Sequence, residues 1–466
     1  MRYESATMAV DRKAVSVFAP GQLGELTQIL DVDLIDAVAA ETATVQKRIR
    51  ILPTRVVIYF VLALALFDTC GYRQVWAKLV AGLGDLRTAR PSASGLCRAR
   101  RRVGPAPLRA LFEAVSGPVA EPGTPGVFWR SLRLVAIDAT TLHVASGPMT
   151  TTRYRLRSTG GAVWGYPLLR LSVLIECGTR AIIDAAFGPD TTGELAHARQ
   201  LLNKLTAGML LLADAGYDST TLFADITATG ASYLCRSGAQ RTPLIATRLP
   251  DGSYLAVLVH GRTRLPVRII EARITTTLAD TTTRTEDWRL ITNLLDHTHH
   301  PARELVTLYH QRWQIETTYL SIKSTILHGR VLRSHHPADI DQEVYALLTI
   351  YQTIIRITTD ATTTITGLDP HRASFTIALD TARNQVITAT GIHPHNRDTP
   401  THGIAHAVLA HLHPARHRSR IKARTRKNAV SKYQHNKNQH PQKAQTYTIH
   451  THIGILDNAL TARPRR

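Results

Sequence analysis

Two stretches decide the fold: Leu134-Val135-Ala136-Ile137-Asp138 and Leu211-Leu212-Ala213-Asp214. Each is a short, wholly apolar run that stops at an aspartate. Runs of this length, rich in β-branched and aliphatic residues, read as buried strands. An acid placed just past such a strand emerges at the carboxyl edge of an open α/β sheet, where these folds put their sites.

The surroundings support a layered α/β unit. Leu168 to Ile175 and Ala181 to Phe187 are further strand-like runs close to the first. A helical segment, Gly193 to Leu205, leads into the strand Met209 to Leu212. From Gly238 to about Thr283 short runs, Leu255 to His260 and Val267 to Ile274, alternate with Gly, Pro and Thr without helical periodicity, which predicts a β-rich insertion. Pro301 opens a helical pattern reaching about Leu327, and Ile340 to Ile357 is a second amphipathic run. Toward the amino terminus, residues 20 to 120 read as a helical bundle punctuated by Pro53 and Gly71. Within it Ser92 or Ser94 can cap a helix carrying Arg98, Arg100, Arg101 and Arg102, with a break at Gly104 to Pro107 before a helix through Leu108 to Val115. That pair has a helix-turn-helix shape; the arginines read equally as a DNA-contacting face or a solvated one. Ala120 to Gly126, with two prolines and two glycines, reads as a linker.

Composition narrows the function. The chain has 466 residues, 44% hydrophobic, which is enough for several packed units. Its 56 basic and 35 acidic residues leave a net charge of +21, so a polyanion is the expected partner. From His411 to Lys443 there is no acid, and this basic tail is expected to order only on a polyanion. The longest apolar run, Val56 to Phe67, is too short to span a bilayer, and Met1 to Lys13 lacks a secretory core segment; a cytoplasmic, nucleoid-associated location is expected. Cys70, Cys97, Cys177 and Cys235 lie far apart and read as packing residues. His297, His299, His300, His335 and His336 lack the cysteine or carboxylate spacing of a zinc site. No P-loop, G-x-S-x-G or dinucleotide motif occurs in a strand-to-helix setting, so no nucleotide cofactor is expected.

The third acid is Glu316. Tyr309, Arg312, Glu316 and Lys323 fall within roughly 60° of one another on an ideal helix. Arg312 and Glu316 alone would be an ordinary four-residue ion pair, but tyrosine and lysine share their stripe.

These residues resemble the signature of the IS-four family of DDE transposases of bacterial insertion sequences. The family's Y-x2-R-x3-E-x6-K is matched by Tyr309, Arg312, Glu316 and Lys323. Its D-x-G-[YF] is matched by Asp214-Ala215-Gly216-Tyr217, while its D-G-T stands here as Asp138-Ala139-Thr140, an alanine replacing the glycine. Trp288-Arg289-Leu290-Ile291-Thr292-Asn293 is similar to the strand returning from the family's insertion, and Asp369 to Phe375 to a recurrent downstream segment. The likeness covers roughly residues 30 to 435 and is strongest from 130 to 330.

The resemblance implies an RNase H-like α/β core with a β-rich insertion. Residues 1–125 would be a helical DNA-binding domain and 126–237 the first part of the core. The insertion would occupy 238–300, the catalytic and following helices 301–360, and a carboxyl-terminal region with its basic tail 361–466. It implies cut-and-paste transposition: 3′ strand nicking, hairpin formation and strand transfer, by a homodimer pairing two terminal inverted repeats and a target DNA. Asp138, Asp214 and Glu316 would be both catalytic and metal-binding, holding two Mg²⁺ or Mn²⁺ ions about 3.5 to 4 Å apart, since hard oxygen ligands suit these ions better than zinc. Tyr309, Arg312, Lys323, Trp288, Arg98, Arg101 and Arg102 would contact DNA. Arg312 and Lys323 would grip phosphates, and Trp288 would hold a base swung out of the stack or, on its own, pack a strand. Two other readings stay open at this point: a structure-specific nuclease on the same core, and an inactive or domesticated DNA-binding relative.

Overall fold

The computed structural model describes residues 22–46, 51–83, 88–159, 162–238, 241, 243–278, 281–391, 403–414 and 448–456. Helices α1 (Val32–Glu41), α2 (Thr54–Leu66), α3 (Tyr72–Val80), α4 (Ala93–Val103) and α5 (Ala106–Val115) come first. The local signals explain α4: Ser92 accepts from the Gly95 N–H at 3.1 Å as its cap, and Gly104, at φ +70°, ends it. Twelve of the 13 residues of α2 are buried. A helix apolar all round belongs in a core, and α2 packs against α4 and a long helix over Pro337–Thr363. The amino-terminal helices therefore share one continuous apolar cluster with the sheet instead of forming a detached unit.

The strands follow in chain order: β1 (Phe128–Trp129), β2 (Leu132–His143), then α6 (Pro148–Arg153) and the hairpin β3 (Arg157–Thr159) and β4 (Ala162–Trp164). Next come β5 (Leu168–Glu176), β6 (Ile182–Pro189), α7 (Glu194–Leu201), β7 (Met209–Ala213), α8 (Thr220–Ala228) and β8 (Ser232–Arg236). The insertion supplies β9 (Leu244–Arg248), β10 (Tyr254–His260), β11 (Thr263–Leu278) and β12 (Thr283–Thr292). Then come α9 (Ala302–Tyr309), α10 (Gln314–Leu320), α11 (Pro337–Thr363), α12 (Phe375–Thr388), α13 (Ile404–Ala410) and β13 (Thr448–Ile455).

Along one sheet the order is β6-β5-β2-β7-β8-β12-β11-β10-β9. The first three strands are antiparallel, and β7 and β8 run parallel to β2 and to each other. This five-strand arrangement is the RNase H-like core. The insertion does not stand apart, because β12 pairs antiparallel with β8 and carries the sheet onward. β11 is long enough to pair with β10 along its first part and with β13 along its second. Strand β13 lies beyond the basic tail and was not anticipated, although Thr448, Ile449, Thr451, Ile453 and Ile455 give it a β-branched content that favours a strand. The tail arginines and lysines from Arg416 to Lys443 lie outside the described residues.

Alternation along the strands separates two cores. Leu134, Ala136, Leu210 and Leu212 face the cluster shared with α2, α11 and the Glu316 helix. Val135, Ile137, Leu211 and Ala213 face the other, beneath α7 and α8. Cys177 and Cys235 are buried, Cys70 and Cys97 partly so, and all four are free thiols. Among the described residues no helix is long and apolar enough to cross a membrane.

Candidate active site

Register brings the two aspartates together. β2 and β7 pair in parallel with Ile137 opposite Ala213, and the ladder stops there. Asp138 and Asp214, each the next residue, therefore sit at the same level; Asp214 follows the end of β7, whereas Asp138, expected at a strand end, lies inside β2, which continues to His143 on β5 alone. By alternation both lie on the face carrying Ala136 and Leu212, against which the helix with Glu316 packs. In each aspartate one oxygen is tied to the following backbone: Asp138 Oδ1 accepts from the Ala139 N–H at 2.8 Å, and Asp214 Oδ1 from the Ala215 N–H at 2.7 Å. Residue 139 lies within β2 and not in a turn, and an alanine there still provides this N–H.

The remaining oxygens face a single cation. Arg312 Nη1 lies 3.7 Å from Asp138 Oδ2, and Nη2 lies 4.0 Å from Asp214 Oδ2 and 3.6 Å from Glu316 Oε1. Its side chain is 8% exposed, and two of its nitrogens, Nε and Nη1, are buried with no hydrogen-bond partner among the described residues. Burial pushes the Asp138 carboxyl up to about 6; Asp214 and Glu316 add to this, while the Ala139 N–H and Arg312 oppose it. The pocket thus concentrates more negative charge than Arg312 neutralises.

The helix between Ala302 and Ile326 is not ideal, and its irregularities fall at the signature residues. It runs α9, a 3₁₀ turn over His310–Trp313, α10, and a π segment over Ser321–Ile326. Such π segments are frequent at functional sites. Here the segment carries Lys323, whose Nζ donates to Thr140 Oγ1 at 3.1 Å, two residues beyond Asp138. Tyr309 points inward: it is 4% exposed, and its hydroxyl donates to the Ala213 carbonyl at 3.0 Å. The residue expected to reach DNA is instead committed to the strand beside Asp214.

The expected base clamp is also enclosed. Trp288 is 8% exposed, with its ring 5.4 Å from Tyr309, 5.0 Å from His310 and 5.4 Å from the Arg236 guanidinium. Among the tryptophans whose burial is described, the exposed one is Trp313, at 51%, beside Arg312. Sequence reasoning passed over it, although an aromatic next to a signature arginine on a helix whose buried stripe lies elsewhere is a legible signal. It also passed over Tyr319, whose hydroxyl donates to the Asp138 carbonyl at 2.6 Å.

The arginine cluster on α4 divides. Arg100 is buried and bonds Gln342 and Tyr72, each at 2.7 Å, so it staples α4 to α11. Arg101 is exposed and pairs with Asp339 at 3.2 Å, Arg102 donates to the Leu52 carbonyl, and Arg98 is exposed. Of the discounted histidines, His336 caps α11 and His299 pairs with Asp296.

Whether the acids suit a metal rests on the donor set. Three carboxylates converge on one cation and present oxygens not tied to the backbone, which is the ligand chemistry of Mg²⁺ or Mn²⁺. Among the described residues no group of three His, Cys, Asp or Glu side chains is placed, as it stands, to hold a metal ion; Arg312 stands between the three acids.

The chain is similar to known proteins over most of its length. Residues 20–113 match the family described as insertion element 4 transposase N-terminal, and residues 129–352 match the transposase DDE domain. The chain is 27% identical over 381 residues to the transposase InsG for insertion sequence element IS4 of Escherichia coli strain K12, covering 80% of this chain and 85% of that one. A solved piggyBac transposase, in a synaptic complex with hairpin DNA, aligns with a TM-score of 0.43 at 11% identity over 84% of each chain.

Proposed function

Because this chain belongs to the IS4 family of DDE transposases, we propose that Asp138, Asp214 and Glu316 hold the pair of Mg²⁺ or Mn²⁺ ions used in cut-and-paste movement of an insertion sequence. The protein is a DNA transposase, and dependence on a divalent metal comes with the family. The single observation that carries the assignment of residues is one guanidinium within 4.0 Å of all three carboxylates.

The family pattern implies that Asp138, Asp214 and Glu316 would together hold the ions, which would supply an activated water and neutralise charge on the departing 3′ oxygen. Arg312, buried with hydrogen-bonding capacity to spare, offers a bidentate grip to the phosphate beside the scissile bond. Lys323 ties the helix to the strand just beyond Asp138 through Thr140 and adds positive charge to the same edge. Trp313 offers an open aromatic face for a base at the rim.

In this reading a homodimer assembles on two terminal inverted repeats, cuts the 3′ strands, forms hairpins and joins the ends to target DNA. Arg98, Arg101 and Arg102 on α4 contribute to end recognition, and the charge from Arg416 to Lys443 supplies affinity for phosphates of any sequence. The test is incubation of the full chain with DNA ends of its own element and Mg²⁺. Nicked, hairpinned and target-joined products are expected, and all three are expected to disappear in Glu316→Gln while end binding persists. Nicking by Glu316→Gln at the wild-type rate would refute the assignment.

A further inference from the structure

We propose that Tyr319, which lies outside the signature motif, is a positioning residue whose hydroxyl fixes Asp138 for metal binding. The proposal rests on the metal-site reading above. The pairing of β2 with β7 ends at Ile137 opposite Ala213, so from Asp138 onward β2 keeps its pairing with β5 but loses β7. At that point the Tyr319 hydroxyl donates to the Asp138 carbonyl at 2.6 Å and comes within 3.4 Å of the Leu171 carbonyl on β5. It therefore spans the backbone of Asp138 and the neighbouring strand.

Tyr309 makes the matching contact on the other strand, through the carbonyl of Ala213 immediately before Asp214. The two tyrosines flank Glu316 on the same helix, seven residues before it and three after. One helix thus carries the third acid and is fastened by a hydroxyl to the backbone at or just before each of the others. Burial raises the pKa of both phenols, which keeps them protonated and able to donate. A phenylalanine would fill either site equally well, so core packing does not account for the hydroxyls. Groups that orient metal ligands without touching the metal commonly govern affinity by about 10- to 100-fold.

The test is a titration of the DNA-free full chain with Mn²⁺, read from the electron paramagnetic resonance signal of the free ion. Tyr319→Phe is expected to weaken Mn²⁺ binding by about 10-fold, and Tyr309→Phe to act in the same direction. The control is Tyr59→Phe, which removes another buried hydroxyl, one that donates to the Leu30 carbonyl at 2.8 Å among the amino-terminal helices. It should lower the unfolding temperature by a similar amount and leave Mn²⁺ affinity unchanged. Wild-type affinity in Tyr319→Phe, beside weakened binding in Glu316→Gln, would overturn the positioning role and keep the site. Wild-type affinity in both variants would overturn the site reading and the positioning role together. Equal weakening in Tyr319→Phe and Tyr59→Phe would assign the effect to general loosening of the fold and overturn the proposal.

Discussion

Arg312 Nη1 stands 3.7 Å from Asp138 Oδ2, near enough to pair as ions and too far to share a hydrogen bond. The same guanidinium serves Asp214 and Glu316 at similar range. It is the internal counter-charge of three acids that would otherwise repel one another, and it also lies over the Tyr309 ring, 6.0 Å from its centre.

Arg312→Ala is therefore expected to destabilise the metal-free protein by about 1–3 kcal/mol, below the full cost of orphaning a buried charge because the carboxylates are partly solvated. Divalent ions should then restore more stability to the variant than they add to the wild type. Thermal unfolding with and without Mn²⁺ checks this, and an equal metal-induced shift in the two proteins would exclude the counter-charge role.

Two tryptophans near the site should behave oppositely. Trp288→Ala opens a cavity against Tyr309 and His310 and is expected to cost about 3–5 kcal/mol of stability. Trp313→Ala is expected to change stability by less than about 0.5 kcal/mol and to weaken DNA binding by about 1–3 kcal/mol. Chemical denaturation and binding to a hairpin-end oligonucleotide separate the effects. A reversed pattern, with DNA affinity following residue 288, would restore Trp288 as the base clamp.

The basic tail is tested by changing its charge, not by removing it. Truncation after residue 410 would also strip β13 from β11. Replacing Arg416, Arg418, Arg420, Arg424, Arg426 and Lys427 with glutamine should reduce the slope of log affinity against log salt by about 0.9 for each phosphate that is no longer neutralised. An unchanged slope would remove the tail from DNA binding.

His310 gives the fold a dependence on pH. Its ring lies against Trp288, its Nε2 is buried without a hydrogen-bond partner among the described residues, and burial holds its pKa below the usual 6.5. The neutral ring is the one the fold accepts, so its contribution is fully present above pH 6.5 and is lost as the pH falls below that value toward the folded-state pKa. The drop in unfolding temperature between pH 7.5 and 5.5 should be smaller in His310→Gln than in the wild type. An identical drop would place the pH sensitivity elsewhere.

Much of the site was legible along the chain. Apolar runs ending in Asp138 and Asp214 are local patterns, and the spacing of Tyr309, Arg312, Glu316 and Lys323 is a property of fifteen consecutive residues. Ser92 and Gly104 marked the ends of their helix for the same reason, since caps act within a few residues. The direction in which Tyr309 and Trp288 point was not legible. Both types suit a DNA contact and a core equally, and only the fit of the 3₁₀ turn against β7 and β12 turns them inward.

Local patterns along the chain supply the ingredients: which residues are acidic, which segments are strand or helix, and a net charge of +21 suited to DNA. The tertiary structure decided that Ile137 lies opposite Ala213, and with it that three acids scattered over the chain meet at one arginine. A slip of that register by one residue would send an aspartate to the opposite face. What selects the correct register is burial of both sheet faces under helices contributed by distant parts of the chain, a constraint that no local window of sequence contains.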